Sequence, residues 1–503
     1  MSFCLDDGME LLYGPAIAAL DEHATAILPR IDIPPSFKSI SADMPRGFVE
    51  PQKSIAVLPF VNLSNDPDNE YFSDGLAEEI LNVLAQIPEM KVTARTSCFA
   101  FRGKEQDVRE IGEALDVRNI LEGSVRRSGN RIRVTAQLID ATNGYHLWSD
   151  RFDRELTDVF AVQDEITAAV TGALKLTLLT SEQREYQPTL AGYEAFLKGR
   201  YMYYRFTPKD FAQAEAHFKE AVRLDPLWAD PLSALADVYF ISGFYGWRPS
   251  AEMIASSRSA AQAAMKLDAK QPMAHAVLGA IAALHDYDWS EAERHMLAAT
   301  SCDTREGNVE FFYSIFYLLP LARYDEADSE MAQAISRDPL NKMWHGRRGW
   351  ISVCSDHADD AIAHARKALD LDENDYQAVL VAAMAYCLNG KFEEGLPYAL
   401  SAFELGPFDT FARGMYAGTL YRLGDKEKAA ALMTDMTGAL NIGMTIYHLV
   451  CGQIDEAINW FDRDIQERRA NCVMIALASW ARPLREHSSW PEISLRINFP
   501  EGK

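Results

Sequence analysis

The residue groups that could do chemistry in this chain are few. Asp66-Pro-Asp68-Asn-Glu70 places carboxylates at the spacing that opens a calcium loop. A complete loop of the helix–loop–helix type would need glycine at its sixth position and glutamate at its twelfth. Counting from Asp66, those positions hold Tyr71 and Ala77. The run therefore reads as a solvated turn leading into a helix. Arg126, Arg127, Arg131 and Arg133 cluster around one turn and could grip a phosphate. Alternation puts Arg131 and Arg133 on one side of a strand, opposite Ile132 and Val134, as on an ordinary solvated sheet face. His285, His295, His357 and His364 are scattered, without the companions that a metal site requires.

Catalytic spacings are missing from the sequence. There is no phosphate-cradling Gly-x-x-x-x-Gly-Lys-[Ser/Thr] loop, no His-Glu-x-x-His and no Gly-x-Ser-x-Gly elbow. No catalytic residue, metal ligand or cofactor is assigned, and the chain is expected not to be an enzyme. Two aromatic groups remain. Tyr201, Tyr203, Tyr204 and Phe206 form one; Phe240, Phe244, Tyr245 and Trp247 form the other. Aromatic side chains in helical segments are mostly core. Phe244, Tyr245 and Trp247, however, fall where a repeat register does not demand burial, and are candidate partner-binding residues.

The elements that must position these groups follow from pattern. At 503 residues the chain has room for several domains with ample apolar content. Its net charge of −24 disfavours a nucleic-acid surface, so no nucleic-acid partner is expected for this chain alone. Seven dispersed cysteines without a Cys-x-x-Cys pair suit a reducing cytoplasm. No apolar run reaches the roughly 18 residues of a spanning helix, and no signal peptide or membrane partner is expected. Residues 1–52 show one candidate helix, Pro15–Leu28, and then a proline-punctuated linker.

From Ser54 the text becomes ordered. Ser54-Ile-Ala-Val-Leu-Pro-Phe60 reads as a buried strand. Ser73 or Asp74 can cap a helix carrying Leu76, Ile80, Val83, Leu84 and Ile87. A strand at Met90–Ala94 and a short helix marked by Val108, Ile111 and Leu115 follow. Three strands then run through 119–127, 131–140 and 145–152, joined by Ser128-Gly129-Asn130 and Thr142-Asn143-Gly144. A helix from Val159 to about Leu178 closes the unit, giving β-α-β-α-β-β-β-α.

Ala56-Val-Leu-Pro-Phe60, Asp74-Gly-Leu-Ala-Glu-Glu79, Leu121-Glu-Gly-Ser-Val-Arg126, Arg133-Val-Thr-Ala-Gln-Leu138 and Leu147-Trp148 carry a resemblance. Residues 53 to 180 resemble the TolB amino-terminal-like domain of bacterial regulators. That resemblance implies an output module ahead of the domain, a class III nucleotide cyclase or a winged helix, and tetratricopeptide repeats behind it. Neither output module is legible in this chain.

The second half has the repeat. Leu224-Asp-Pro226, Leu267-Asp-Ala269, Cys302-Asp-Thr304, Arg337-Asp-Pro339, Leu371-Asp-Glu373 and Leu405-Gly-Pro407 close successive helix pairs. Pro339, Glu373 and Pro407 stand 34 residues apart, the tetratricopeptide length. The longer step between Pro226 and Ala269 implies an insertion around Phe240–Ser250. Small residues recur at the expected close contacts, among them Ala214, Ala221, Ala327, Ala334, Ala417 and Gly424. About eight pairs are expected between Tyr193 and Arg468, with Trp480, Leu484, Trp490 and Ile493 capping the end.

The expected class is thus α+β: an α/β domain at 53–187, an all-α tetratricopeptide solenoid at 188–470 and a cap at 471–503, with 1–52 unassigned. The expected function is a non-enzymatic interaction scaffold or sensor-type regulator. A peptide or protein would bind in the repeat groove, and the α/β domain would bind a partner or mediate homo-oligomer formation. The second expectation is the regulatory portion of a cyclase-like or transcriptional regulator whose output module is outside this chain.

Overall fold

The computed structural model describes residues 53–64, 69–85, 87, 90–104, 106–174, 186–301, 308–407, 409–434 and 442–500. The helix expected at 15–28, the linker up to residue 52, the carboxylates at 66 and 68, the start of the 180–188 boundary and the marker at 302–304 lie outside the described residues.

The main path of the sheet runs from the strand at 91–92 through those at 54–57, 119–128 and 131–140 to that at 145–155. Strand β1 (Ser54–Val57) is buried throughout and runs parallel to β3 (Lys91–Val92) and β4 (Asn119–Ser128). Pro59 lacks a backbone donor, and the apolar run divides around it. Val61–Asn62 forms a separate short strand, β2, parallel to the far end of β4. Strands β4, β5 (Arg131–Asp140) and β6 (Tyr145–Glu155) are antiparallel, and Ser128 pairs with Arg131 across a turn in which Gly129 has a φ of +59°. That left-handed value is one glycine adopts without strain.

One sheet face carries Ile132, Val134, Ala136 and Leu138, all buried. Helices α1 (Glu70–Ala85) and α4 (Val159–Ala173) pack over the sheet and against each other. Arg131 and Arg133 are exposed on the opposite face, as alternation requires. Two further helices, α2 (Arg95–Phe99) and α3 (Val108–Ala114), complete the unit. Neither β2 nor α2 is in the order expected from sequence. Both are too short for periodicity to announce them.

Among the described residues, positions 190–466 form a series of eight helix pairs. They are α5 (Leu190–Tyr203) with α6 (Pro208–Leu224), α7 (Ala229–Phe244) with α8 (Ser250–Leu267), and α9 (Pro272–Ile281) with α10 (Trp289–Ser301). Next come α11 (Asn308–Tyr313) with α12 (Tyr324–Arg337) and α13 (Lys342–Cys354) with α14 (Ala358–Leu371). The series ends with α15 (Tyr376–Cys387) and α16 (Phe392–Leu405), α17 (Thr410–Arg422) and α18 (Lys426–Thr434), and α19 (Ile442–Cys451) and α20 (Ile454–Gln466). With the 34-residue period, this is a tetratricopeptide-type array.

The repeat markers have a structural meaning. Their middle residues, Asp225, Asp268, Asp338, Asp372 and Gly406, are the C-caps of α6, α8, α12, α14 and α16. Asp225 reaches back to the start of its own pair. It accepts hydrogen bonds from the Thr189 backbone N–H (3.1 Å) and hydroxyl (2.8 Å) and from the Tyr186 hydroxyl (3.1 Å). Asp372 likewise pairs with Lys342 at the start of α13. The extra residues near 240–250 do not form a protruding loop. They lengthen α7 and α8 to 16 and 18 residues, against 13 and 14 in α13 and α14.

The sheet unit touches the array twice. At α5, Leu197 lies so close to Gly75 of α1 that an added Cβ would stand 2.3 Å from it. Gln163 donates to the Tyr193 hydroxyl (3.0 Å), and Arg127 pairs with Glu194 (2.6 Å). The second contact joins α2 to the turn between α12 and α13. The final helices, α21 (Ala470–Ala476), α22 (Arg482–Arg485) and α23 (Trp490–Ile497), pack on α20 and on the middle of the array. Trp289 donates to the Ile497 carbonyl (3.0 Å) and stacks on Phe499.

Candidate functional site

Between these two contacts lies a cavity of about 1550 Å³. Its wall comes mainly from the first helix of successive pairs, α5, α7, α9, α11 and α13, and α1 and α2 close it on the sheet side. First helices line it because the second helix of each pair takes the outer layer, as in a repeat solenoid.

The sheet side is an ion network. Arg95 lies between the rings of Phe99 and Tyr204, 4.2 Å from each centroid, and its Nε is 3.3 Å from Glu78 Oε2. Glu78 also pairs with Arg200 of α5, whose guanidinium donates to the Tyr204 hydroxyl (2.9 Å). Asp74 pairs with Arg102, and burial holds its carboxyl above the usual range despite that partner. Glu78 and Arg95, through Arg200 and Tyr204, therefore bind the sheet unit to the array at the cavity wall.

The α7 lining differs. Asp230, Ser233, Asp237 and Ile241 of α7 face the cavity at helical spacing. Asp237 is buried and takes one hydrogen bond, from the Tyr203 hydroxyl to Oδ2 (2.7 Å). Burial pushes its carboxyl up to about 7, with that hydrogen bond opposing. Aromatic rings of Phe196, Trp228, Phe311 and Trp344 line the same space.

The residues singled out from sequence lie elsewhere. Phe244, Tyr245 and Trp247 are half-buried and absent from the cavity wall. Phe244 packs on Phe240 and Phe316, and Tyr245 stacks on Trp247 at 5.2 Å. Trp247 meets Phe206 and Phe211 edge-on, and Arg347 donates to the Tyr245 hydroxyl. Of the other aromatic group, Tyr203, Tyr204 and Phe206 do line the cavity. The four arginines do not converge: Arg127 turns to Glu194, Arg133 pairs with Asp153 (2.8 Å), and Arg126 and Arg131 are exposed. His295 is not isolated, because its Nδ1 is 2.8 Å from Nδ1 of His275 in a buried pair. Among the described residues no group of three or more His, Cys, Asp and Glu side chains could hold a metal ion. No helix among them is long and apolar enough to cross a membrane.

Sequence reasoning missed Ser97, Asp237 and the Glu78–Arg95–Arg200 network. The only signal for the last was acidic and basic residues in separate helices, which spacing alone cannot pair.

The fold is a helical repeat array of tetratricopeptide type, closed on one side by a small mixed-sheet unit. Residues 51–169 match the family described as HilA/YgeH-like transcriptional regulator, second domain. A protein of Rhizobium meliloti (strain 1021) named "Putative adenylate cyclase 3" is 40% identical over 232 residues, 45% of this chain and 39% of that protein. Transcriptional regulator HilA of Salmonella typhimurium (strain LT2) is 20% identical over 316 residues, 61% of this chain and 55% of the regulator. The chain thus spans about half or less of these relatives. TTC0263, a thermophilic TPR protein of Thermus thermophilus, aligns over 46% of this chain and 100% of its own, at 19% identity and a TM-score of 0.26. The repeat assignment rests on this chain's own period and helix pairs.

Proposed function

We propose that this chain is a non-enzymatic, ligand-receiving regulatory scaffold that works in the cytoplasm and binds a peptide or protein segment along the inner face of its repeats. The observation that carries the reading is the cavity of about 1550 Å³ between the first helices and the sheet unit. It exceeds the roughly 300–1,000 Å³ of a small-molecule pocket and suits a chain segment. The TolB amino-terminal-like reading of residues 53–180 belongs to this proposal, with that unit and the array as separable domains. Phe244, Tyr245 and Trp247 contribute at one end through the ring surface that packing leaves exposed.

The test is retention of a degenerate synthetic peptide library on the immobilised intact chain, with hydrogen exchange on the loaded protein. Retained peptides that slow exchange in α5, α7 and α13 support the reading. No retention, or protection confined to the outer helices, overturns it.

A second reading is favoured by the relatives. One carries a cyclase name and another a transcriptional-regulator name, yet both match a large part of this chain. A regulatory portion that serves different output modules accounts for that. Incubation of this chain with Mg-ATP or Mg-GTP is expected to yield no cyclic nucleotide; turnover would overturn the non-enzymatic reading.

A further inference from the structure

Buried carboxyls are normally paired, because an unpaired buried charge is costly. Glu78 and Asp338 follow this rule at the cavity wall. Glu78 holds Arg95 and Arg200, while Asp338 takes hydrogen bonds from Ser97 and Asn341. Asp237 does not follow it. The residue is 5% exposed, and its Oδ1 has no hydrogen-bond partner among the described residues. One turn away, Ser233 Oγ is in the same state at 3% exposure. Both residues sit on the α7 face that lines the cavity. Two buried, unsatisfied polar side chains on one wall of a large cavity are a site that lacks its complement.

We propose that Asp237, with Ser233, forms the subsite for a cationic side chain, lysine or arginine, of a peptide lying in the inner cavity. This rests on the proposed peptide-binding function. A cation supplies donors to Oδ1, the hydroxyl of Ser233 can accept one more, and Tyr203 keeps Oδ2 engaged. Oδ1 lies just below the present surface, but the terminal torsion of a carboxyl is broad, so a small turn toward a ligand, shifting Oδ2 with it, costs little. The net charge of −24 draws basic segments to the protein. The size of the cavity favours a peptide over a free amine.

The test offers the immobilised intact chain a degenerate library of short synthetic peptides, and then matched peptides with lysine, arginine, norleucine or glutamate at the selected position. Lysine and arginine should be preferred over norleucine by roughly tenfold or more. Asp237→Asn should abolish that preference. Ser233→Ala removes the second acceptor and should weaken the preference, so a folding failure in one variant leaves the other decisive. Peptides retained without a lysine or arginine preference sink this subsite and spare the scaffold reading. No retention sinks both. Displacement by n-butylammonium at the concentration of the peptide itself would make the ligand a small amine and overturn the assignment.

Discussion

Ser97 and Asp338, 241 positions apart in sequence, are joined by two hydrogen bonds: the Ser97 backbone N–H (2.7 Å) and hydroxyl (2.5 Å) both donate to Asp338 Oδ1. The same hydroxyl accepts from the Leu340 N–H (2.8 Å), and the Ala94 N–H donates to the Arg337 carbonyl (2.8 Å). Asp338 is a repeat-marker residue. Where Asp225 turns back to its own pair, Asp338 receives a foreign segment, α2, and the array closes against the sheet unit.

Ser97→Ala should loosen this closure. It removes one donor from a buried carboxylate and one acceptor from Leu340, for a loss of about 1–3 kcal/mol. Hydrogen exchange should rise at residues 94–100 and 338–341 ahead of the rest of the chain. Equal change everywhere would show that the contact opens only with global unfolding.

Gly192→Ala should cost more than a helix substitution normally does. An added Cβ would stand 1.7 Å from Asp225 Oδ2 and would drive that carboxylate from Thr189 and Tyr186. The expected loss is on the order of 2 kcal/mol, read from the denaturation midpoint. Asp225→Ala removes the clashing atoms and should make Gly192→Ala less costly; strictly additive losses would contradict the shared cause.

Asp237 and His295 should shape stability with pH in opposite directions. The Asp237 carboxyl is raised from 3.8 to about 7, so the folded state holds its proton more tightly. Its contribution is complete below about pH 4 and is lost as pH rises toward 7. Burial, with Arg294 adding to it, lowers His295 from 6.5 to about 4. Its contribution is complete above pH 6.5 and is lost as pH falls toward 4. Each amounts to a few kcal/mol, roughly. Denaturation midpoints across pH 4–8 should therefore rise with pH in Asp237→Asn relative to the unaltered chain. His295→Gln should flatten the acid limb. Parallel profiles would remove both assignments.

Trp247→Ala should lower the melting temperature, because the ring packs on Tyr245, Phe206 and Phe211 at 5.0–5.7 Å. A loss of about 3 kcal/mol is expected for a buried aromatic ring, less for this half-buried one. The Phe244, Tyr245 and Trp247 triple alanine variant separates packing from binding. Unchanged melting with lost peptide retention would make the three rings contact residues; lower melting with retention kept in the folded fraction would make them packing residues.

The sequence by itself determined what is local and periodic. Alternation in 119–152 wrote the three antiparallel strands, with Gly129 and Gly144 at positive φ in their turns. The Leu-Asp-Pro markers wrote the ends of the second helices, because a C-cap needs a residue that stops the helix and takes up its free polar groups. The 34-residue period wrote the stacking of pairs, because each pair buries its apolar face only against the next. Tertiary structure alone decided where the array curves back. Ser97 meets Asp338, and Trp289 meets Ile497, across 241 and 208 positions. Such meetings depend on small rotations accumulated over many pairs, which no single spacing encodes. The cavity is bounded by those meetings, so its unpaired Asp237 and its committed Glu78 look alike in sequence: two acids on two helices. Burial and the direction each side chain faces distinguish them, and both exist only once the array has closed on the sheet unit.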